Sequence, residues 1–199
     1  MKKGNTKERL IMAALDLFSV KGYEGTSVEE IAKAVGIKAP TIYKYLPGKE
    51  ALLQALVEKA DEEYGNGMAQ GMEGAENICS GRDLKEFALR SLEFTINNEM
   101  AVKMRRLLTI EQYRNEQFAE SATRYHVETI QSIFAEIFRK MMDKGLMIQG
   151  DADIYALEFA APVTLMIQMS DRQPEKKAQA LDKINRHFDV FIERYCINK

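Results

Sequence analysis

Between Thr26 and Glu50 the chain is punctuated too tightly for anything but two short helices on either side of a turn. Ser27 is a natural helix N-cap, and Glu30, three residues on, completes a capping-box pattern. Val28, Ile31, Ala32 and Val35 mark one apolar stripe over two turns. Gly36 stands where a helix C-terminus needs a residue comfortable at positive φ. Pro40 suits the first turn of a second helix, and Pro47-Gly48 ends that helix after barely two turns. Helix, turn and helix at these lengths is the pattern of a helix-turn-helix reader.

The surface of the second helix points to the partner. Ile42 and Leu46, four apart, can anchor it to its support, which leaves Lys38, Ala39, Thr41, Tyr43, Lys44 and Tyr45 around the remainder. Lysine neutralises phosphate, hydroxyls donate to phosphate oxygens, and Thr or Ala methyls can touch the thymine methyl in the major groove. Ser27, at the start of the first of the two helices, joins this candidate set.

Thr26 to Leu53 closely resembles the DNA-binding segment of the tetracycline-repressor (TetR) family of bacterial regulators. The matching residues are Ser27, Ile31, Ala32, Gly36, Ile37, Thr41, Ile42-Tyr43, Tyr45-Leu46 and Lys49-Glu50-Ala51-Leu52. The preceding helix matches as well, in Ile11 to Phe18 followed by Gly22-Tyr23-Glu24-Gly25-Thr26. The resemblance covers about the first quarter of the chain; the rest agrees only in length and helical plan. It implies a division into a DNA-binding head, 1–48, and a ligand-binding and dimerisation body, 49–199. It also implies that Lys49 touches backbone phosphate.

Charge is divided in the same way. The whole chain carries 28 basic and 30 acidic residues, too even for a general polyanion binder. Its first fifty residues hold nine Lys or Arg against six Asp or Glu, a net of +3, and the remainder carries −5. A basic head on an acidic body suits an electrostatic footprint confined to one face. Glu29 and Glu30 favour the dipole at their helix's start, and Glu29 is expected to face away from phosphate. In the first helix, about Thr6 to Lys21, Leu10, Ala13, Ala14, Leu17 and Phe18 offer one apolar face. Lys2, Lys3 and Lys7 precede or open it and could act as an arm to an adjacent groove or backbone, or simply be solvated.

Beyond residue 50 the pattern stays helical, without strand alternation. A helix from Lys49 carries Leu52, Leu53, Leu56, Val57 and Ala60, and the glycine-rich stretch 65–81 reads as its frayed end and a loop. Further helices are expected from Ser80 or Asp83 to about Asn98, from Val102 to about Asn115, and from Glu116 to Asp143, stopped by Gly145. Asp151 caps the next, in which Pro162 demands a kink or local adjustment, and the last starts near Pro174. The fold class is therefore all-α, with about nine helices, three in the head and six in the body.

Nothing here reads as catalysis, a metal site or a cofactor site. His126 and His187 stand alone, outside any ligand pattern, and no phosphate loop, nucleophile elbow or paired-acid motif is present. Cys79 and Cys196 lack metal-like spacing and in a reducing compartment stay thiols. With no signal peptide and no apolar run near 18 residues, a soluble cytoplasmic protein is expected, without a membrane partner.

The body's role rests mainly on the resemblance. It implies a homodimer through helices near 152–170 and 175–197, where Ala156, Ala160 and Ala161 permit close approach, and a palindromic double-stranded operator. It also implies a pocket for a small hydrophobic or amphipathic effector, with Phe87, Met104, Tyr113, Tyr125 and Met166 as candidate lining. Methionines and aromatics at helical spacing are equally serviceable as plain core. Glu111 and Arg105 could place a charge inside, although a surface ion pair is the simpler expectation. Two other readings stay open: a helix-turn-helix regulator without an effector, and a helical protein-interaction module.

Overall fold

The computed structural model describes residues 5–114 and 116–197, leaving aside the side chains of 63–73. Lys2 and Lys3 of the expected arm lie outside the described residues. The elements are α1 (Thr6–Lys21), α2 (Val28–Val35), α3 (Ala39–Ile42), α4 (Lys49–Ala75), α5 (Gly81–Asn97) and α6 (Glu99–Glu111). Then comes α7, which is α-helical over Glu116–Thr123, turns π-helical at Arg124–Glu128 and is α-helical again over Thr129–Asp143. Helix α8 is Ala152–Arg172, and a 3-10 turn Pro174–Lys176 leads into α9, Lys177–Tyr195. With α7 counted as one, that is nine helices and no strand among the described residues, as the pattern predicts. None is long and apolar enough to cross a membrane.

Packing divides the chain into two compact units. The first runs through Gly67 and takes in Asn98–Ala119; the second holds Met68–Asn97 and everything from Glu120.

In the first unit α1 packs against α2 and α6. Its buried face is Leu10, Ile11, Ala14, Leu15 and Phe18, whereas Ala13 and Leu17 are only half-buried. The expected stripe shifts because α1 is covered from two sides, which its own periodicity cannot reveal. Salt bridges fasten it too: Glu8 to Lys59 of α4 at 3.4 Å, and Asp16 to Lys103 of α6. Asn98 caps α6, its Oδ1 accepting from the Ala101 N–H.

Two expectations for this stretch change. The glycine-rich segment is helical to Ala75, not a loop from residue 65. A helix already nucleated at Lys49 needs only propagation, and the Met, Ala, Gln and Glu between the glycines favour it. The second helix of the reader is also shorter than two turns. After Ile42 the chain continues as a turn, with Tyr45 N–H and Leu46 N–H both donating to the Ile42 carbonyl.

The second unit is built around aromatic rings. Phe159 of α8 stacks on Phe188 of α9 at 4.7 Å and meets Phe134 at 4.6 Å and Phe191 at 4.8 Å, with Phe138 at 5.5 Å. Such pairs contribute roughly 0.5–1.5 kcal/mol each beyond area burial. Ala156 and Ala160 are buried within this unit, so their small size serves its own core; Ala161 alone of the three is exposed. Pro162 is accommodated inside α8 without ending it. Nearby, His187 Nε2 lies 3.0 Å from the Phe159 carbonyl oxygen, which can only accept, so that nitrogen carries a hydrogen. His187 is thus a structural donor. Met147 and Cys196 form an isolated antiparallel bridge, and burial pushes the Cys196 thiol up to about 11.

Candidate nucleic-acid interface

The reader is assembled by its helix ends. Ser27 Oγ accepts from the Glu30 N–H at 3.2 Å while Glu30 Oε2 accepts from the Ser27 N–H at 2.9 Å, closing the expected capping box. The Ser27 hydroxyl also donates to Glu30, so its first task is the cap. Lys21 donates to Glu30 at 2.5 Å; that bond and the Ser27 N–H hold the Glu30 carboxyl down at about 2. Glu29 is exposed and outside these bonds.

At the other end of α2, Gly36 takes φ 78° and ψ 31°. Its N–H donates to Lys33 and the Ile37 N–H to Ala32, a Schellman closure. Arg9 of α1 donates to the Val35 carbonyl at 2.6 Å, bolting α1 to the same end. A lone arginine on a helix gives no signal of such a role, and the sequence pattern missed it.

Ile42 and Leu46 are buried as anchors. Lys38, Tyr43, Lys44 and Tyr45 are exposed, Tyr43 to 59 %, and Ala39 and Thr41 are half-buried beside them. Six of the expected contact residues therefore share one short segment presenting ammonium, phenol, hydroxyl and methyl groups together. That is chemistry for a polyanion with readable base edges.

Lys49 makes contacts within the first unit. Its Nζ donates to the Tyr23 carbonyl at 2.9 Å, sits 4.3 Å from the centre of the Tyr23 ring, and lies 3.8 Å from Glu24. The residue is thus tied to the turn between α1 and α2. Tyr23 itself is gripped from several helices: its ring meets Phe18 of α1 at 5.3 Å and Phe118 of α7 at 6.1 Å. Its N–H donates to Glu111 of α6 at 2.9 Å. Glu111 is buried, its carboxylate accepting this N–H and lying 3.5 Å from Arg114.

The five candidate pocket residues are divided between the two units. Met104 and Tyr113 belong to the first unit; Phe87, Tyr125 and Met166 belong to the second. Tyr113 is 91 % exposed on the turn after α6 and lines no interior. Phe87 and Met104 are buried, Phe87 edge-on to Phe134, and Met166 packs against the same aromatic core. Tyr125 is half-buried in the π-helical turn. Among the described residues no group of His, Cys, Asp and Glu could hold a metal ion.

Known proteins share this arrangement. Residues 10–56 match the sequence profile described as bacterial regulatory proteins, tetR family. The helix-turn-helix transcriptional regulator YttP of Bacillus subtilis is 25% identical over 193 residues, 97% of this chain and 89% of YttP. A crystal structure from Mesorhizobium loti, assigned to the tetR family, superposes with a TM-score of 0.75 at 24% identity over 99% of this chain and 100% of that one. SmeT, repressor of a multidrug efflux pump in Stenotrophomonas maltophilia, superposes with a TM-score of 0.70 at 19% identity over 97% and 91%; it has also been solved with triclosan. The fold is thus shared along the full chain and the sequence signature is concentrated in the head. Residues 10–56 thus carry the helix-turn-helix signature of the tetR family of bacterial regulatory proteins, and the chain as a whole shares the fold of solved structures assigned to that family.

Proposed function

We propose that this chain is a homodimeric, cytoplasmic repressor that leaves a palindromic operator when a small hydrophobic or amphipathic molecule binds its body. In this reading residues 1–48 recognise DNA and 49–199 dimerise and sense. The observation that carries it is the segment Lys38–Tyr45, which exposes two lysines and two tyrosines while Ile42 and Leu46 pin it down.

Dimerisation is supported by α8. Ile154, Leu157, Ala161 and Leu165 are exposed at spacings of three, four and four, one apolar stripe along a helix. An exposed stripe of this kind is what a two-fold partner covers. Two copies would set two recognition helices about 34–36 Å apart, or a multiple of that, on successive major-groove faces. Light scattering at micromolar concentration tests this: a monomer refutes it.

The switch requires an effector that binds better to a conformation with another spacing of the heads, and its effect is limited by that differential affinity. SmeT with triclosan supports an apolar effector class by analogy. The deciding experiment is a gel shift on a duplex that the chain selects from a randomised pool, repeated with a panel of apolar and amphipathic molecules. Loss of the complex with one of them is the expected result; no salt-dependent complex at all sinks the reading. A regulator without an effector is the second reading, favoured by the commitment of Phe87 to the core of its own unit.

A further inference from the structure

We infer that Glu111 is a positioning residue for DNA recognition: its buried carboxylate holds the backbone N–H of Tyr23 and thereby fixes the turn from which α2 and α3 start. The inference rests on the head reading DNA, and it concerns how that reading is kept in register.

Glu111 is 1 % exposed and is the one charged residue among the buried polar residues described, the others being Ser19, Thr26 and Ser170. A carboxylate so placed persists only where bonds offset its desolvation. Its Oε1 accepts the Tyr23 N–H at 2.9 Å, with Arg114 Nη1 at 3.5 Å. Gly22 admits the carboxylate: a Cβ there would stand 2.5 Å from Oε1, and the residue takes φ +77°. Glycine at 22 and glutamate at 111 are thus two halves of one fitting.

The opposite edge of Tyr23 is held as well, its carbonyl accepting from Lys49 of α4. Thr26, itself buried, closes the turn with its hydroxyl on the Gly22 carbonyl at 2.9 Å and its N–H toward Tyr23 O at 3.3 Å. The next residue is Ser27, the cap of α2. One residue of the turn therefore receives α6 through its N–H and α4 through its C=O. Withdrawing Glu111 would leave a part-buried N–H and a buried carboxylate without each other, so α6 and the turn move together or not at all. The direction in which α2 leaves the turn, and with it the exposed face of α3, is set by that bond.

The test uses the full chain, a duplex it selects from a randomised pool, and an unselected duplex at low salt. Glu111→Gln keeps an acceptor for the Tyr23 N–H; Glu111→Ala removes it. The expected result is that Gln binds the selected duplex like the parent. Ala should bind it on the order of tenfold more weakly, as loss of one charge-assisted hydrogen bond implies, while matching the parent on the unselected duplex. Rescue by Gln with selective loss in Ala is what a merely structural carboxylate does not produce. Equal binding by Ala and the parent overturns the inference, and so does equal loss by Ala on both duplexes. Hydrogen exchange on the unmodified chain is the second measurement: the Tyr23 amide should be protected, and rapid exchange there overturns the inference even if no variant folds. A parent chain that selects no duplex overturns the proposed function itself.

Discussion

Both compact units bury apolar side chains, but the short helices of the first are set in addition by directed bonds. In the second, Phe134, Phe138, Phe188 and Phe191 close on Phe159, and the fit is a matter of volume. In the first, α2 has eight residues and α3 four, too few to own a core. They are set by directed bonds at their ends: the Ser27–Glu30 box, the Gly36 turn, Arg9 on Val35, and Lys49 and Glu111 on Tyr23. A scaffold tolerates small shifts of packed rings, whereas a surface that must match another molecule needs the angular definition that hydrogen bonds supply.

The contrast is broken most forcefully at Phe159. Phe159→Ala should lower unfolding stability by about 3–5 kcal/mol in urea titration, as for other buried large-to-small changes; a loss under about 1 kcal/mol would deny that volume holds this unit. In the head, Lys49→Ala should cost stability at the low end of about 1.5–3 kcal/mol, since the bond it removes is charged but part-exposed. Its DNA affinity should keep the parent's salt slope. Lys44→Ala should do the reverse, with stability unchanged and the slope flatter by about one. If both variants flatten the slope equally, Lys49 reaches phosphate after all.

Ser27→Ala should destabilise by about 1 kcal/mol and Ser27→Gly by only a few tenths, read in the same titration. The smallest effect is confined to acid. The Glu30 carboxyl is held at about 2, below its ordinary 4.5, because Lys21 and the Ser27 N–H favour the charged form. Its contribution is therefore complete above 4.5 and disappears as pH falls from there to about 2. Glu30→Gln should flatten that stretch of the stability curve and leave the neutral region parallel to the parent.

Where a local rule governs, the sequence was readable. The caps at Ser27 and Asp151 and the stop glycines 36 and 145 all act through neighbours within a few positions. Ile42 and Leu46 as anchors follow from helical spacing alone. What stayed hidden depends on distant partners. Nothing near Lys49 in the sequence announces the Tyr23 beneath it, and Glu111 reads as a surface charge because Gly22 is 89 positions away. Tyr113 looked like lining by type, but a turn left it outside. The helical course of residues 65–75 is hidden from local propensity because it depends on the nucleus before it.

The π-helical turn Arg124–Glu128, closed by the Thr129 N–H on the Arg124 carbonyl, has a consequence for how α7 can change over generations. It carries one residue more than an α turn would, and a residue is about 100° of rotation. Ala122 before it and Phe134 and Phe138 after it are all buried, although straight α-helical counting would put them on different sides. Deleting a single residue here would swing the phenylalanines away from Phe159, and inserting one would overshoot. The length of this helix across the turn is thus fixed as an integer.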